Sequence, residues 1–233
     1  MARSNRSPNL ADPDFPGYDT VHGDPFDPDY LRRRAEANPA DWRPWMRLGY
    51  LLVQRCDAGA VSALEHATAL APENALAHYL LGMAMCREGQ IAGAERTLET
   101  AVRLRADYAE AWRLLGAIRS AAERNAEALA AWLQVARLVP DGETYWRIGL
   151  CFVRLSRLAE ATVALEEAVR RKPNHTVAHR ALAYLGQVRG EPELTRRHLQ
   201  TLFTLDEDMA RLLDDDLSRV APGTREPPSF ERR

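Results

Sequence analysis

The fold of this chain follows from one stretch, AEAWRLLGAIRSAAERNAEALAAWLQVARLVP (Ala109–Pro140). Apolar residues recur at helical spacing in two segments, one containing Trp112 and the other containing Trp132. Pro140 ends the second segment, because proline lacks the amide donor that a continuing helix needs. The stretch therefore predicts two antiparallel helices joined by a short turn.

The same pattern recurs on both sides of this stretch, at a period of 33 or 34 residues. A glycine marks the period at Gly49, Gly82, Gly116 and Gly149. Four residues before each glycine, and before Ala183 in a fifth unit, stands a bulky residue, here called the opening residue: Trp45, His78, Trp112, Tyr145 and His179. Glycine is unfavourable inside a helix, so we expect each glycine to admit a closely packed neighbouring helix, facing small residues there. A period of this length predicts stacked helix pairs that bury each other's apolar faces.

At these positions the unit resembles the tetratricopeptide repeat. The resemblance implies an all-α protein, a right-handed superhelical α-solenoid of about five helix-turn-helix repeats with capping helices at both ends. Five units fit between residues 42 and 209, the last of them degenerate because Ala183 replaces the glycine. Their expected limits are about 42–74, 75–108, 109–141, 142–175 and 176–209.

The two ends of the chain differ from the repeats. Asp27 and Pro28 predict the start of an N-terminal capping helix, which with its turn occupies residues 28–41. Residues 210–233 are expected to form a C-terminal capping helix and a tail, with Met209, Leu212, Leu213 and Leu217 on one face of the helix. Residues 1–27 alternate aspartate with aromatic residues and lack periodicity, which predicts a disordered acidic and aromatic arm.

Composition narrows the class of protein. A net charge of −2 argues against a surface built for polyanions, so nucleic acid is not an expected partner. We find neither a signal peptide nor a run of the ~18 apolar residues that a membrane span needs. The three cysteines lack paired spacing, which favours the cytoplasm. Lys172 is the only lysine, which indicates a GC-rich, bacterial genome.

In the family that the repeats resemble, the first helix of each pair lines a concave groove. Carried over to this chain, the resemblance implies a partner-binding surface made by Met46, Tyr50, Tyr79, Met83, Arg87, Arg113, Trp146, Leu150, Arg154, Arg180 and Tyr184. Aromatic and arginine residues are enriched at binding hot spots, and methionine adapts to irregular partners. We therefore expect a protein or peptide partner with acidic and apolar groups.

Three functions compete for such a surface. The first is a non-catalytic adaptor or scaffold that binds a protein segment in the groove. The second is a homo-oligomeric assembly scaffold whose groove takes its own N-terminal arm. The third, an RNA-binding helical repeat, is disfavoured because such repeats read bases with polar side chains at fixed positions, which are mostly apolar here.

One known use of the family is also disfavoured. Its clamp for the C-terminus of a chaperone needs Lys, Asn and Arg at fixed positions. The matching positions here hold Met46, Tyr50, Leu80, Glu110 and Leu114. A role as a co-chaperone of that kind is therefore not expected.

The sequence offers no catalytic signature. It has no glycine-rich phosphate loop, no nucleophile elbow and no pair of carboxylates placed for acid–base work, so neither an enzyme nor a cofactor is expected. His175 and His179 have the spacing of metal ligands on a helix. However, His175 falls in a loop and His179 in a core position, so no metal site is expected either.

Overall fold

A computed structural model describes residues 27–57 and 59–219, and this part of the chain contains twelve α-helices and no strand. The all-α class is confirmed, whereas the handedness of a superhelix stays a prediction. The helices are α1 (Pro28–Ala37), α2 (Trp42–Arg55), α3 (Ala60–Leu70), α4 (Ala75–Arg87), α5 (Ile91–Leu104), α6 (Ala109–Ala121), α7 (Asn125–Leu138), α8 (Gly142–Arg154), α9 (Leu158–Arg171), α10 (Thr176–Arg189), α11 (Pro192–Leu205) and α12 (Glu207–Arg219).

The chain divides into two compact units, Met1–Leu115 and Gly116–Arg233, here called unit 1 and unit 2. The boundary lies inside α6. In unit 1, α2 packs against α1, α3 and α4, and α4 packs against α5. In unit 2, α8 packs against α7 and α9, and α10 packs against α9, α11 and α12. The domain limits expected from the repeats stay predictions.

The glycines of the period admit the second helix of each pair, as close packing requires. A Cβ atom on Gly49 would lie 2.4 Å from Cγ of Leu64, and one on Gly116 would lie 2.7 Å from Cε2 of Trp132. A large side chain of the second helix fills the space at each of these glycines, and at Gly149 the backbone oxygen of Ala161 also lies 3.5 Å from the added Cβ atom. In α4 and α5, Gly82 faces Leu98 and Gly93 faces Met85, so these two helices are antiparallel.

Three of the five opening residues have a hydrogen-bonding role as well as bulk. Ring N–H groups of His78, Trp112 and His179 each donate, at 2.9 Å, to the backbone carbonyl six residues earlier. Those carbonyls belong to the loop that follows the preceding second helix. The bond fixes where each new first helix starts. At Trp45, the ring nitrogen is buried and has no partner among the described residues.

The helix joints follow the prolines and differ at one place. The second helices α3, α7 and α9 end two residues before Pro72, Pro140 and Pro173, as the sequence predicts. Asp206 instead separates α11 from α12 as a single residue, and its carboxylate accepts from the backbone N–H of Met209 at 2.9 Å. That carboxylate starts the next helix at once, which leaves no loop.

The two end helices are present within the described residues. The Asp27 side chain accepts from the backbone N–H of Asp29 at 3.0 Å and starts α1. In α12, Leu213 and Leu217 are buried, but Leu212 is 69% exposed, so its predicted place on the buried face is wrong. Residues 1–26 and 220–233, which hold the predicted arm and tail, lie outside the described part. No described helix is both long and apolar enough to span a membrane.

Candidate functional site

The predicted contact residues lie on the first helices of the pairs, and their exposure divides them into two groups. Met46, Tyr79 and Tyr184 are buried, with 0%, 8% and 7% of their surface exposed. The residues that keep partial or full exposure are Tyr50, Met83, Arg87, Arg113, Trp146, Leu150, Arg154 and Arg180. Only this second group can offer a surface, and all four of its arginines also interact within the chain.

Met46 is wrong as a predicted contact. It lies on α2, which α1, α3 and α4 surround within unit 1. Its side chain is fully enclosed and fills the core between these helices. The position that we took to face a ligand faces neighbouring helices instead.

Tyr79 is a packing residue of unit 1. Its ring lies 5.0 Å from the ring of Tyr108, which precedes α6, and the Arg105 guanidinium lies 3.7 Å from the Tyr108 ring centre. Burial and the neighbouring Glu110 carboxylate raise the pKa of Tyr79 to about 12. The prediction of Tyr79 as an anchor for a partner is therefore wrong, because Tyr108 covers the face that it would offer.

Tyr184 is covered by the C-terminal capping helix of unit 2. It belongs to a buried cluster with Val188 of α10 and with Leu213 and Leu217 of α12. Gln187, on the same helix, donates from Nε2 to the Leu217 carbonyl at 3.4 Å. The sequence predicted both the helix and the tyrosine but not that one hides the other, so Tyr184 is also wrong as a contact.

Arg87 and Arg154 hold the ends of the preceding first helices. The Arg87 guanidinium donates to the carbonyl of Val53 in unit 1, and Arg154 donates to the carbonyl of Ser120 at 3.0 Å in unit 2. Each acceptor lies near the C-terminus of a helix and 34 residues before its arginine. A cation there is favoured by the helix dipole. These two arginines stabilise successive repeats rather than waiting for a ligand.

The best-defined group around a partly exposed contact residue lies in unit 2 and consists of Glu143, Trp146, Arg147 and the buried His175. We call it the Trp146 cluster. The partly buried Trp146 ring lies 5.6 Å from the His175 ring, and the Arg147 guanidinium lies 4.4 Å from the Trp146 ring centre. Arg147 also pairs with Glu143 at 3.0 Å. The indole is thus held on two sides before any partner arrives.

Charge within the Trp146 cluster is balanced by Glu143. Its carboxylate lies 3.5 Å from Nε2 of His175 as well as beside Arg147. Burial alone would raise the pKa of Glu143, but its hydrogen bonds and opposite charges outweigh burial, and its pKa lies below the ordinary value. Glu143 therefore stays ionised at neutral pH and keeps Arg147 over the indole.

Sequence reasoning placed Arg147 alongside the predicted contact residues but missed Glu143 and His175, although a signal was present. In two repeats, the residue directly after the opening residue is aromatic and contacts a ring 29 residues later in the chain. The two pairs are Tyr79 with Tyr108 and Trp146 with His175. Elsewhere the residue before a first helix caps it, as Asp141 does for α8 by accepting from the Thr144 N–H at 2.8 Å. A ring at the position directly before a first helix, where a capping residue is usual, is therefore the sequence signal of this ring–ring contact.

The remaining exposed residues are Tyr50, Met83 and Arg113 in unit 1 and Leu150 and Arg180 in unit 2. Tyr50, Arg113 and Arg180 also interact within the chain, so none of them is free. In the described part of the chain, no three histidine, cysteine, aspartate or glutamate side chains could together hold a metal ion. His179, at which no metal site was expected, forms a hydrogen bond with His198.

Comparison with known proteins supports the repeat fold. Two family models, both described as tetratricopeptide repeat, match residues 58–118 and 142–175. No curated protein matches significantly. Among solved structures, a crystal structure of YrrB, described as a TPR protein with an unusual peptide-binding site, matches with a TM-score of 0.70 at 19% identity, covering 83% of this chain and 100% of that one.

Two structures of MamA are similar as well. One matches with a TM-score of 0.64 at 21% identity, covering 70% of this chain and 96% of that one. The other, residues 41 to the end of MamA from Desulfovibrio magneticus RS-1, matches with a TM-score of 0.62 at 18% identity and covers 80% and 97%. At these identities the likeness shows the fold alone.

Proposed function

Because this chain is a tetratricopeptide repeat protein, we propose that it is a non-catalytic scaffold that binds a segment of another protein along its first helices. The repeat fold itself supports a role in protein interaction, and one structural neighbour, YrrB, is described as having a peptide-binding site. The segment would have apolar and acidic groups. Its main anchor is the Trp146 cluster of unit 2.

The single observation that carries this proposal is the pre-held indole of Trp146. Binding usually costs free energy because flexible side chains must be ordered at the interface. Here Arg147 and His175 already fix the ring, which stays partly exposed on α8. Tryptophan and arginine are the residues most enriched among binding hot spots. A held tryptophan flanked by arginine is therefore suited to an apolar side chain of a partner.

The acidic character of the partner is supported by arginine on the first helices. Arg180 occupies on α10 the repeat position that Trp146 occupies on α8, and it is partly exposed. Arg113 holds the same position in unit 1. Exposed ion pairs contribute only ~0 to 1 kcal/mol each, so apolar contact with Trp146 and Leu150 must supply most of the affinity. The arginines would set orientation and partner choice.

The test uses a displayed library of random peptides selected on the full chain. We expect enriched peptides to combine aspartate or glutamate with large apolar residues. Fluorescence anisotropy then measures the dissociation constant of one enriched peptide. Trp146→Ala and Arg180→Glu should each weaken binding, the first at least tenfold, because a hot-spot tryptophan contributes roughly 2 kcal/mol or more.

Two matched controls lie on second helices of the same unit. Val163→Ala on α9 removes an exposed apolar side chain, and Arg137→Glu on α7 makes the same change in charge as Arg180→Glu. Both should leave the dissociation constant unchanged. If no peptide is enriched, or if the controls weaken binding as much as Trp146→Ala does, the proposal is wrong.

The competing occupant is the chain's own N-terminal arm. Deletion of residues 1–26, followed by light scattering and the same peptide titration, separates the two. If the arm occupies the surface, the deletion should strengthen peptide binding or reduce self-association. If neither changes, the surface is left to a separate partner.

A further inference from the structure

A pair of histidines lies buried between α10 and α11 of unit 2. Nδ1 of His179 is 2.8 Å from Nδ1 of His198, and the two ring centres are 5.1 Å apart. Only 6% of His179 and 4% of His198 is exposed. A contact of this length between ring nitrogens requires one proton between them.

The neighbouring groups fix where the protons sit. The Pro173 carbonyl, 2.9 Å from Nε2 of His179, can only accept, so that nitrogen carries a proton. A neutral His179 then offers a lone pair at Nδ1, and His198 must donate from its own Nδ1. Nε2 of His198 is left as an acceptor, and the Arg197 guanidinium lies 3.3 Å from it. All three contacts are satisfied when both rings are neutral.

An additional proton breaks this arrangement. A proton on Nδ1 of His179 would meet the donor of His198, and a proton on Nε2 of His198 would meet the donor of Arg197. Because each nitrogen already faces either a proton or a cation, no tautomer accommodates a charged ring without losing a bond. A buried charge that lacks a partner is costly.

The pair belongs to the last repeat. The position of His198 holds Ala63, Thr97, Ala131 and Ala164 in the other second helices. His78 occupies the same position as His179 in its own repeat and donates to Pro72 in the same way. Its Nδ1 has no hydrogen-bond partner among the described residues. The bond between two rings therefore distinguishes α10 and α11 from the other pairs.

Water can reach the pair although both rings are buried. His179 and His198 line an open groove of about 410 Å³, shared with Pro173 and with residues of α9 and α11. The charged and titratable groups around it are Arg197 of α11, Glu166 and Arg170 of α9, and His175 before α10. Glu166 pairs with Arg197 at 3.2 Å, and Arg170 pairs with Glu167 at 2.6 Å. No carboxylate among them contacts either ring in a way that would stabilise a proton there.

We propose that the hydrogen bond between His179 and His198 is acid-sensitive. It keeps the α10–α11 hairpin closed while both rings are neutral, and the hairpin opens when either ring takes up a proton. Burial and the neighbouring charges lower the pKa of His198 to about 4 and also lower the pKa of His179. The ordinary value is ~6.5, so the open hairpin binds more protons than the closed one between these values. The stability that the neutral pair gives to the closed hairpin is fully present above pH ~6.5 and is lost as the pH falls toward ~4.

This device would also act on partner binding, a consequence that rests on the proposed function. Helix α10 carries Arg180, so opening of the hairpin displaces part of the surface. Binding of the enriched peptide should then weaken below pH ~6. The structural test below needs no peptide, so failure of one proposal can be told from failure of the other.

The direct test is nuclear magnetic resonance of the imidazole nitrogens in the full-length chain. At pH 7.5, His179 should show a proton on Nε2 and His198 a proton on Nδ1, and His198 should titrate near pH 4. Hydrogen exchange should show opening of α10 and α11 that increases by up to about tenfold per pH unit between pH 6 and 4.5, after correction for intrinsic exchange. Titration of His198 near 6.5, or the opposite tautomers, would overturn the proposal.

A variant suggested by the chain itself separates titration from packing. His179→Trp keeps a ring N–H for the Pro173 carbonyl, as Trp112 does for Ala106, but removes one of the two titrating rings and the acceptor of the His198 N–H. The pH dependence of α10–α11 opening should become smaller in this variant, because only His198 can still take up a proton. His78→Trp is the matched control and should leave it as in the unaltered chain. An unchanged profile in His179→Trp contradicts the proposal, and if that variant fails to fold, the titration of His198 in the unaltered chain decides alone.

Discussion

At the scale of residues, the position that opens each first helix shows what the sequence can and cannot reveal. The pattern of Trp, His and Tyr predicts a bulky core position. The structure adds that a ring N–H from His78, Trp112 and His179 donates to a loop carbonyl. The size of a side chain can be read from its residue type alone. A hydrogen bond from that side chain can be recognised only when the acceptor is known. The acceptor lies in the preceding repeat.

A second recurrent position is the turn inside each pair, where the backbone has a positive φ. It holds Cys56, Gly89, Glu123, Ser156 and Gly190, with φ between 58° and 76°. Side chains other than glycine are strained there by roughly 1 to 2 kcal/mol per residue. A Cβ atom on Gly89 would have no neighbour within 4 Å, so strain in φ is its only cost.

We expect Ser156→Gly to stabilise the chain and Gly89→Ala to destabilise it, each by about 1 kcal/mol after the entropy of glycine is subtracted. Urea unfolding followed by circular dichroism measures the change in midpoint. Gly190→Ala, which also has open space around the new Cβ atom, should match Gly89→Ala. A lower midpoint for Ser156→Gly would show that the backbone conformation does not set the preference.

At the scale of helices, the elements were predictable because the apolar period and the prolines mark them. The sequence could not show which side chains of the first helices are buried or hydrogen-bonded by neighbouring elements. Tyr79 is covered by Tyr108, 29 residues later, and Tyr184 is covered by α12. Arg87 and Arg154 bond 34 residues back. Periodicity places a side chain on a face of its helix, but its partner lies in a neighbouring repeat.

The two arginines should therefore contribute to stability. Hydrogen bonds to a charged group contribute roughly 1.5 to 3 kcal/mol, and partial exposure reduces this, so we expect Arg154→Gln and Arg87→Gln to cost about 1 kcal/mol each. Arg137→Gln, at an exposed position of α7, is the control and should change stability little. Urea unfolding midpoints give the comparison. Equal effects of all three changes would mean that the carbonyl contacts are incidental.

At the scale of the whole molecule, the repeat fold and the family follow from the sequence, and the partner does not. The family models match where the glycine period is clearest. The proposed binding surface differs from the one predicted from the sequence, since Tyr79 and Tyr184 are buried while Trp146 keeps partial exposure on α8. The neighbours that hold Trp146 in place, Arg147 and His175, became visible only with their distances.

The central claim is that a partner segment binds to the first helices of the repeats. Hydrogen exchange of the full chain, with and without a saturating enriched peptide, tests it most directly. We expect added protection in α8 and α10, with α9 and α11 unchanged. Protection confined to α9 and α11 would contradict it, as would a peptide that binds tightly and protects neither first helix.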